Sequence, residues 1–176
     1  MKFLSNIRLL LVGLWLGAAV FFSFAVAPSA FIVLRDLQIA RATEIAGEIV
    51  SRNLMIINLG GLAIGLILLA SSFIRAAGTN RFALWTERIL ILLMTAACAV
   101  GQFVIALWLR IVKTEMGKPV DEFAADDPLR IKFNNLHEYS VWILIAAMIA
   151  ALLAFFLIAA KSDKKIVVED KNEFKF

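Results

Sequence analysis

Four long apolar runs separated by short charged segments make up most of this chain. The first, Leu9 to Phe31, lies in a stretch with no charged residue between Arg8 and Arg35. At about 1.5 Å of rise per residue, a helix over most of that length crosses a ~30 Å hydrocarbon core. A backbone in lipid must satisfy its own N–H and C=O groups, so the run predicts a helix. Three further runs repeat the pattern. Together they predict an all-α, polytopic membrane protein: a four-transmembrane-helix bundle over residues 1–160, with spans at about 9–31, 53–74, 89–109 and 139–160. Residues 161–176, KSDKKIVVEDKNEFKF, alternate in charge and predict a mobile tail.

The segments between the runs predict helical extensions before the second and fourth spans. Leu34, Leu37, Ala42, Ile45, Ala46 and Ile49 recur at helical spacing, and no proline separates them from the second run. Gly78-Thr79-Asn80 breaks the chain between the second and third spans, and Trp85 and Arg88 stand where an interfacial belt is expected. Asp127-Pro128 has the form of a helix start, an acid N-cap followed by proline at the first helical position. Pro28 predicts a kink or stop near Ala27. Two GxxxG pairs, Gly13/Gly17 and Gly61/Gly65, and the fourth-span alanines Ala146, Ala150 and Ala154 predict close helix packing. Asn58 and Gln102 fall within apolar runs and predict interhelical hydrogen bonds.

Composition narrows the class further. Of 176 residues, 62% are hydrophobic and 18% charged, with a mean hydropathy of +0.88, well outside the range of soluble domains. The net charge of +4 does not signal nucleic acid, because the basic residues flank the apolar runs. The expected surroundings are membrane lipid, with a second copy or another membrane protein as partner. The basic start and Ala25-Val26-Ala27 resemble a signal peptide. The apolar run is longer than such a core, however, and Pro28 would follow the cut, so retention as an anchor is expected. Arg75, Arg81 and Arg88 against Glu87 in the short second connection predict both termini cytoplasmic, in a bacterial inner (plasma) membrane.

Candidate chemistry gathers at the start of the fourth helix. Arg130, Asn134, His137 and Ser140 fall along one helical face, and His137 is the only histidine. Ionisable residues at membrane depth are often functional, and imidazole is a ligand or proton carrier at neutral pH. An interfacial histidine can equally bond a neighbouring carbonyl. One histidine and the single cysteine, Cys98, cannot make a closed zinc site, and bis-histidine haem needs two histidines. No GxSxG, P-loop or HExxH occurs, so no catalytic residue and no cofactor are expected, and His137 is the one metal candidate.

Trp15-Leu16-Gly17, Ala27-Pro28 with Phe31, and Leu136-His137-Glu138-Tyr139-Ser140 resemble the transmembrane-protein-205-like family of uncharacterised four-span membrane proteins, over about residues 5–160. The resemblance implies Trp15, Gly17, Pro28, His137 and Ser140 as family-like positions. The eukaryotic branch of that family is associated with platinum-drug resistance, which implies export or vesicular trafficking. Three functional expectations follow: carriage or assisted export of a small solute or metal ion, a non-catalytic scaffold or accessory subunit, and a metal- or haem-dependent redox protein centred on His137.

Overall fold

A computed structural model describes residues 2–74 and 81–173, with side chains from 3 to 73 and from 81 to 160. Its elements are α1 (Lys2–Phe21), a π turn (Phe22–Val26), α2 (Ala27–Asp36), α3 (Ala42–Ile74), α4 (Arg81–Val100), a second π turn (Gly101–Ile105), α5 (Ala106–Met116), a short 3-10 turn (Val120–Glu122) and α6 (Pro128–Glu173). Four helical stretches are long and apolar enough to cross a membrane: Phe3–Asp36, Ala42–Phe73, Arg81–Met116 and Pro128–Ala160. Each is 32 to 36 residues long, more than a bilayer core requires. The excess lies on one side, where α2, the start of α3, α5 and the start of α6 continue as a helical cap. The extensions before the second and fourth spans are thus present, and the first and third spans extend as well. α6 continues into the charged tail; the expected Gly78-Thr79-Asn80 break lies outside the described residues.

α1 and α4 each pack against both α3 and α6, so α1 and α4 stand on one diagonal of the bundle. The core along the axis joins Val12, Trp15 and Ala19 to Ile91, Met94 and Cys98 and to the alanine stripe Ala147, Ala150, Ala151 and Ala154. Ala150 and Ala154 of the expected stripe are buried, whereas Ala146 is exposed and Ala147 takes its place. A second cluster under the cap packs Ile105, Val112 and Met116 on Leu136.

Pro28 does not stop the first span, which continues as one helical stretch from Phe3 to Asp36. Lacking an N–H and clashing with the carbonyl four residues back, a proline within a helix forces the turn before it to widen. The chain does so with the π turn Phe22–Val26, and Pro28 sits in the first turn of α2. At the cap, Asp127 Oδ1 accepts a hydrogen bond from the Leu129 N–H at 2.8 Å, which makes it the N-cap of α6. Gly117 ends α5 with φ +62°, a left-handed conformation that glycine adopts without a Cβ clash.

Candidate functional site

Each diagonal helix carries a buried stripe at spacings of three and four. On α1 it runs Ser5, Arg8, Val12, Trp15 and Ala19; on α4 it runs Leu84, Glu87, Ile91, Met94 and Cys98. Such spacing keeps one face toward a partner helix for several turns. A charged residue sits on each stripe one turn from its amino-terminal end, and the two helices run the same way through the bundle. Arg8 Nη2 and Glu87 Oε1 meet at 2.6 Å, each side chain 1% exposed. Arg8 Nη2 also donates to the Leu68 carbonyl on α3 at 3.3 Å. The ion pair therefore crosses the bundle axis and ties three helices together.

Ser71 Oγ donates to the same Leu68 carbonyl at 2.9 Å. Ser71 and Ser72 are buried, and both donate to carbonyls of their own helix. Arg88 donates from Nε to Ser72 Oγ and from Nη2 to the Ser72 carbonyl, both at 3.0 Å. Its guanidinium lies 4.4 Å from the Phe73 ring centroid and 5.8 Å from that of Trp85, so α4 is held to α3 by a cation on aromatic faces. Trp85, expected as a belt residue, thus also covers Arg88.

From this end, the α3–α4 seam continues through small and polar residues. A Cβ on Gly65 would overlap Thr95 Oγ1, and one on Gly61 would lie 2.5 Å from Cys98 Sγ and 2.6 Å from Trp15 Nε1. Only glycine fits at either position. The Trp15 indole uses the space to donate to the Ile57 carbonyl at 2.9 Å, a bond from α1 to α3 in the middle of the bundle. One turn further, Asn58 lies against Gly101. The expected interhelical hydrogen bonds of Asn58 and Gln102 are not formed among the described residues. The other GxxxG divides its roles: a Cβ on Gly13 would lie 3.3 Å from the Phe155 ring, whereas one on Gly17 would meet nothing within 4 Å.

The residues singled out on α6 stand at the opposite end, with Arg130 and Ser140 half-buried. Asn134 and His137 are exposed. Arg130 Nη1 donates to the Phe123 carbonyl at 2.5 Å, and Ser140 Oγ donates to the carbonyl of His137 itself at 2.8 Å. The groove beside this helix takes a different face, lined by Trp108, Ile131, Lys132, Asn135 and Tyr139. Among the described residues, no three His, Cys, Asp or Glu side chains converge to hold a metal ion. What composition hid was the charged pair. Arg8 and Glu87 end apolar runs, where a charge reads as a membrane flank, and only the three-and-four spacing from Val12 and from Ile91 marks them as buried.

No curated protein and no solved structure matches the chain. A family described as "Domain of unknown function (DUF4149)" matches residues 10–118, which takes in Glu87, the α3–α4 seam and both π turns. That match covers well over half of the 176 residues, and the chain belongs to this family of uncharacterised proteins.

Proposed function

We propose that this integral membrane protein carries, or assists the export of, a small solute or metal ion, with Arg8 and Glu87 as the closure across the bundle axis. The observation that carries the reading is the pair itself. Two dehydrated charges contribute little net stability compared with apolar residues of similar size, so an intramembrane pair points to a working role. Opening the pair would release α1 from α4 and give access to the seam of Ser72, Thr95, Cys98 and Asn58. The resemblance to the transmembrane-protein-205-like family, with its link to platinum resistance, supports export. In this reading, the Arg130, Asn134, His137 and Ser140 face stands at the far mouth, on the outer side of a bacterial plasma membrane with both termini cytoplasmic.

The test is accumulation of a platinum(II) ammine complex and of a panel of divalent metals, measured by mass spectrometry in cells expressing wild type or the double variant R8L/E87L. The double variant removes both charges at once, so it is expected to fold and insert. Its cells are expected to accumulate the solute as if the protein were absent. Unchanged export by a folded double variant would overturn the reading.

Gly17 favours a second reading, an accessory subunit, because its bare face on α1 is open to another membrane helix. Gly17→Leu would then lose a co-purifying membrane partner while leaving the bundle intact; an undiminished pull-down would dismiss it. A redox role would rest on His137 alone, and a colourless, metal-free purified protein would remove it.

A further inference from the structure

Three unexplained features meet at one place in the α3–α4 seam. Asn58 is 4% exposed, yet its side chain makes no hydrogen bond among the described residues. Gln102 Oε1 is buried and likewise has no hydrogen-bond partner among them. Gly101–Ile105 is a π turn with no proline after it, unlike Phe22–Val26, where Pro28 supplies the cause.

The antiparallel register brings them together. Gly65 meets Thr95, Gly61 meets Cys98, and a Cβ on Gly101 would lie 3.1 Å from Asn58 Nδ2. Gln102 follows Thr95 by seven residues and so stands on the same side of its helix, toward α3. A helix that passes from i→i+4 bonding to i→i+5 and back leaves one carbonyl without its usual donor. Two amide side chains thus lie beside the π turn in one stretch of the seam, and a turn of the Asn58 amide about its last bond would bring Oδ1 to the side where Nδ2 stands.

We propose that Asn58, Gln102 and the π turn form a binding site for a dehydrated monovalent cation. The ligands the site would supply, Asn58 Oδ1, Gln102 Oε1 and a carbonyl of the turn, are neutral oxygens, as suits a single positive charge. A divalent ion would call for carboxylates, and Glu87 belongs to the closure at the far end of the seam. Irregular helical backbone beside a polar side chain on the neighbouring span is the kind of element with which membrane carriers hold ions. Water could meet the same oxygens, and the experiment separates the two. The role of the cation rests on the carrier reading; its binding does not.

The test is the unfolding midpoint of the full chain in mild detergent, in sodium, potassium and choline chloride at equal ionic strength. The midpoint is expected to rise and saturate with one alkali cation and not with choline. Asn58→Leu should abolish that rise. Gln102→Glu adds a carboxylate to the site and should strengthen the apparent affinity about tenfold. Identical midpoints of the wild type in all three salts would mean that water alone bridges the amides and would overturn the proposal, whatever Gln102→Glu shows, because a new carboxylate can recruit a cation by itself. If Asn58→Leu fails to fold, the wild-type salt series decides it. A cation-dependent midpoint in a protein that moves no solute would sink the carrier reading and keep the site; the reverse result would sink the site alone.

Discussion

At the amino-terminal end of the bundle, Arg8 and Glu87 are each 1% exposed and meet at 2.6 Å. At the cap, Glu48 is 58% exposed and faces Arg52 at 3.5 Å and Lys113 at 4.0 Å. The residue types are the same at both ends, and the energetics are not. Water already solvates Glu48, so removing its partners strands nothing. Glu87 has given up its hydration to the interior, so its value lies in what happens when its partner is taken away. Charge in this protein acts through burial rather than through number.

The sharpest way to break that contrast is to remove one member of the buried pair. Glu87→Leu should lower the unfolding free energy in detergent by about 3–5 kcal/mol, because Arg8 must either stay buried without its acid or give up the packed face for the headgroups. R8L/E87L should recover most of that loss, and equal losses from single and double variants would refute the account. Glycine contacts come next. Gly65→Ala drives a methyl group into Thr95 and should cost about 1–3 kcal/mol, while Gly17→Ala should stay within about 0.5 kcal/mol of wild type. Thermal unfolding of the two variants side by side checks this; similar losses would mean that Gly17 is covered. The smallest effect belongs to the rim: Glu48→Gln should change stability by less than about 1 kcal/mol, and less still in high salt.

The spans were legible because a bilayer demands long uncharged runs, and Leu9 to Phe31 offers one to any reader. The interior was harder to see. Lipid is as apolar as leucine, so a membrane helix need not alternate polar and apolar faces, and Val12 looks no different from the exposed Leu14. The clearest marks of an inward face are the residues that do not belong in lipid. Two of these, Arg8 and Glu87, stand at run ends and look like flanks. Asn58 and Gln102 were recognisable as amides within the spans, but a hydrogen bond left unmade leaves no trace in sequence. His137 drew attention as the lone imidazole, although rarity carries no information about direction, and its helix turns it outward.

The diagonal pair also has a history within each molecule. Arg8 leaves the ribosome 79 residues before Glu87, which at about 5–20 residues per second is an interval of roughly 4–16 s. Throughout that interval the first hairpin can already lie in the bilayer while its arginine has no acid to meet. A position near the end of the span lets the long side chain reach back to the headgroups and wait hydrated. Moved two turns deeper, the same arginine would face that delay in hydrocarbon. The depth of Arg8 therefore suits the order of synthesis as well as the finished bundle.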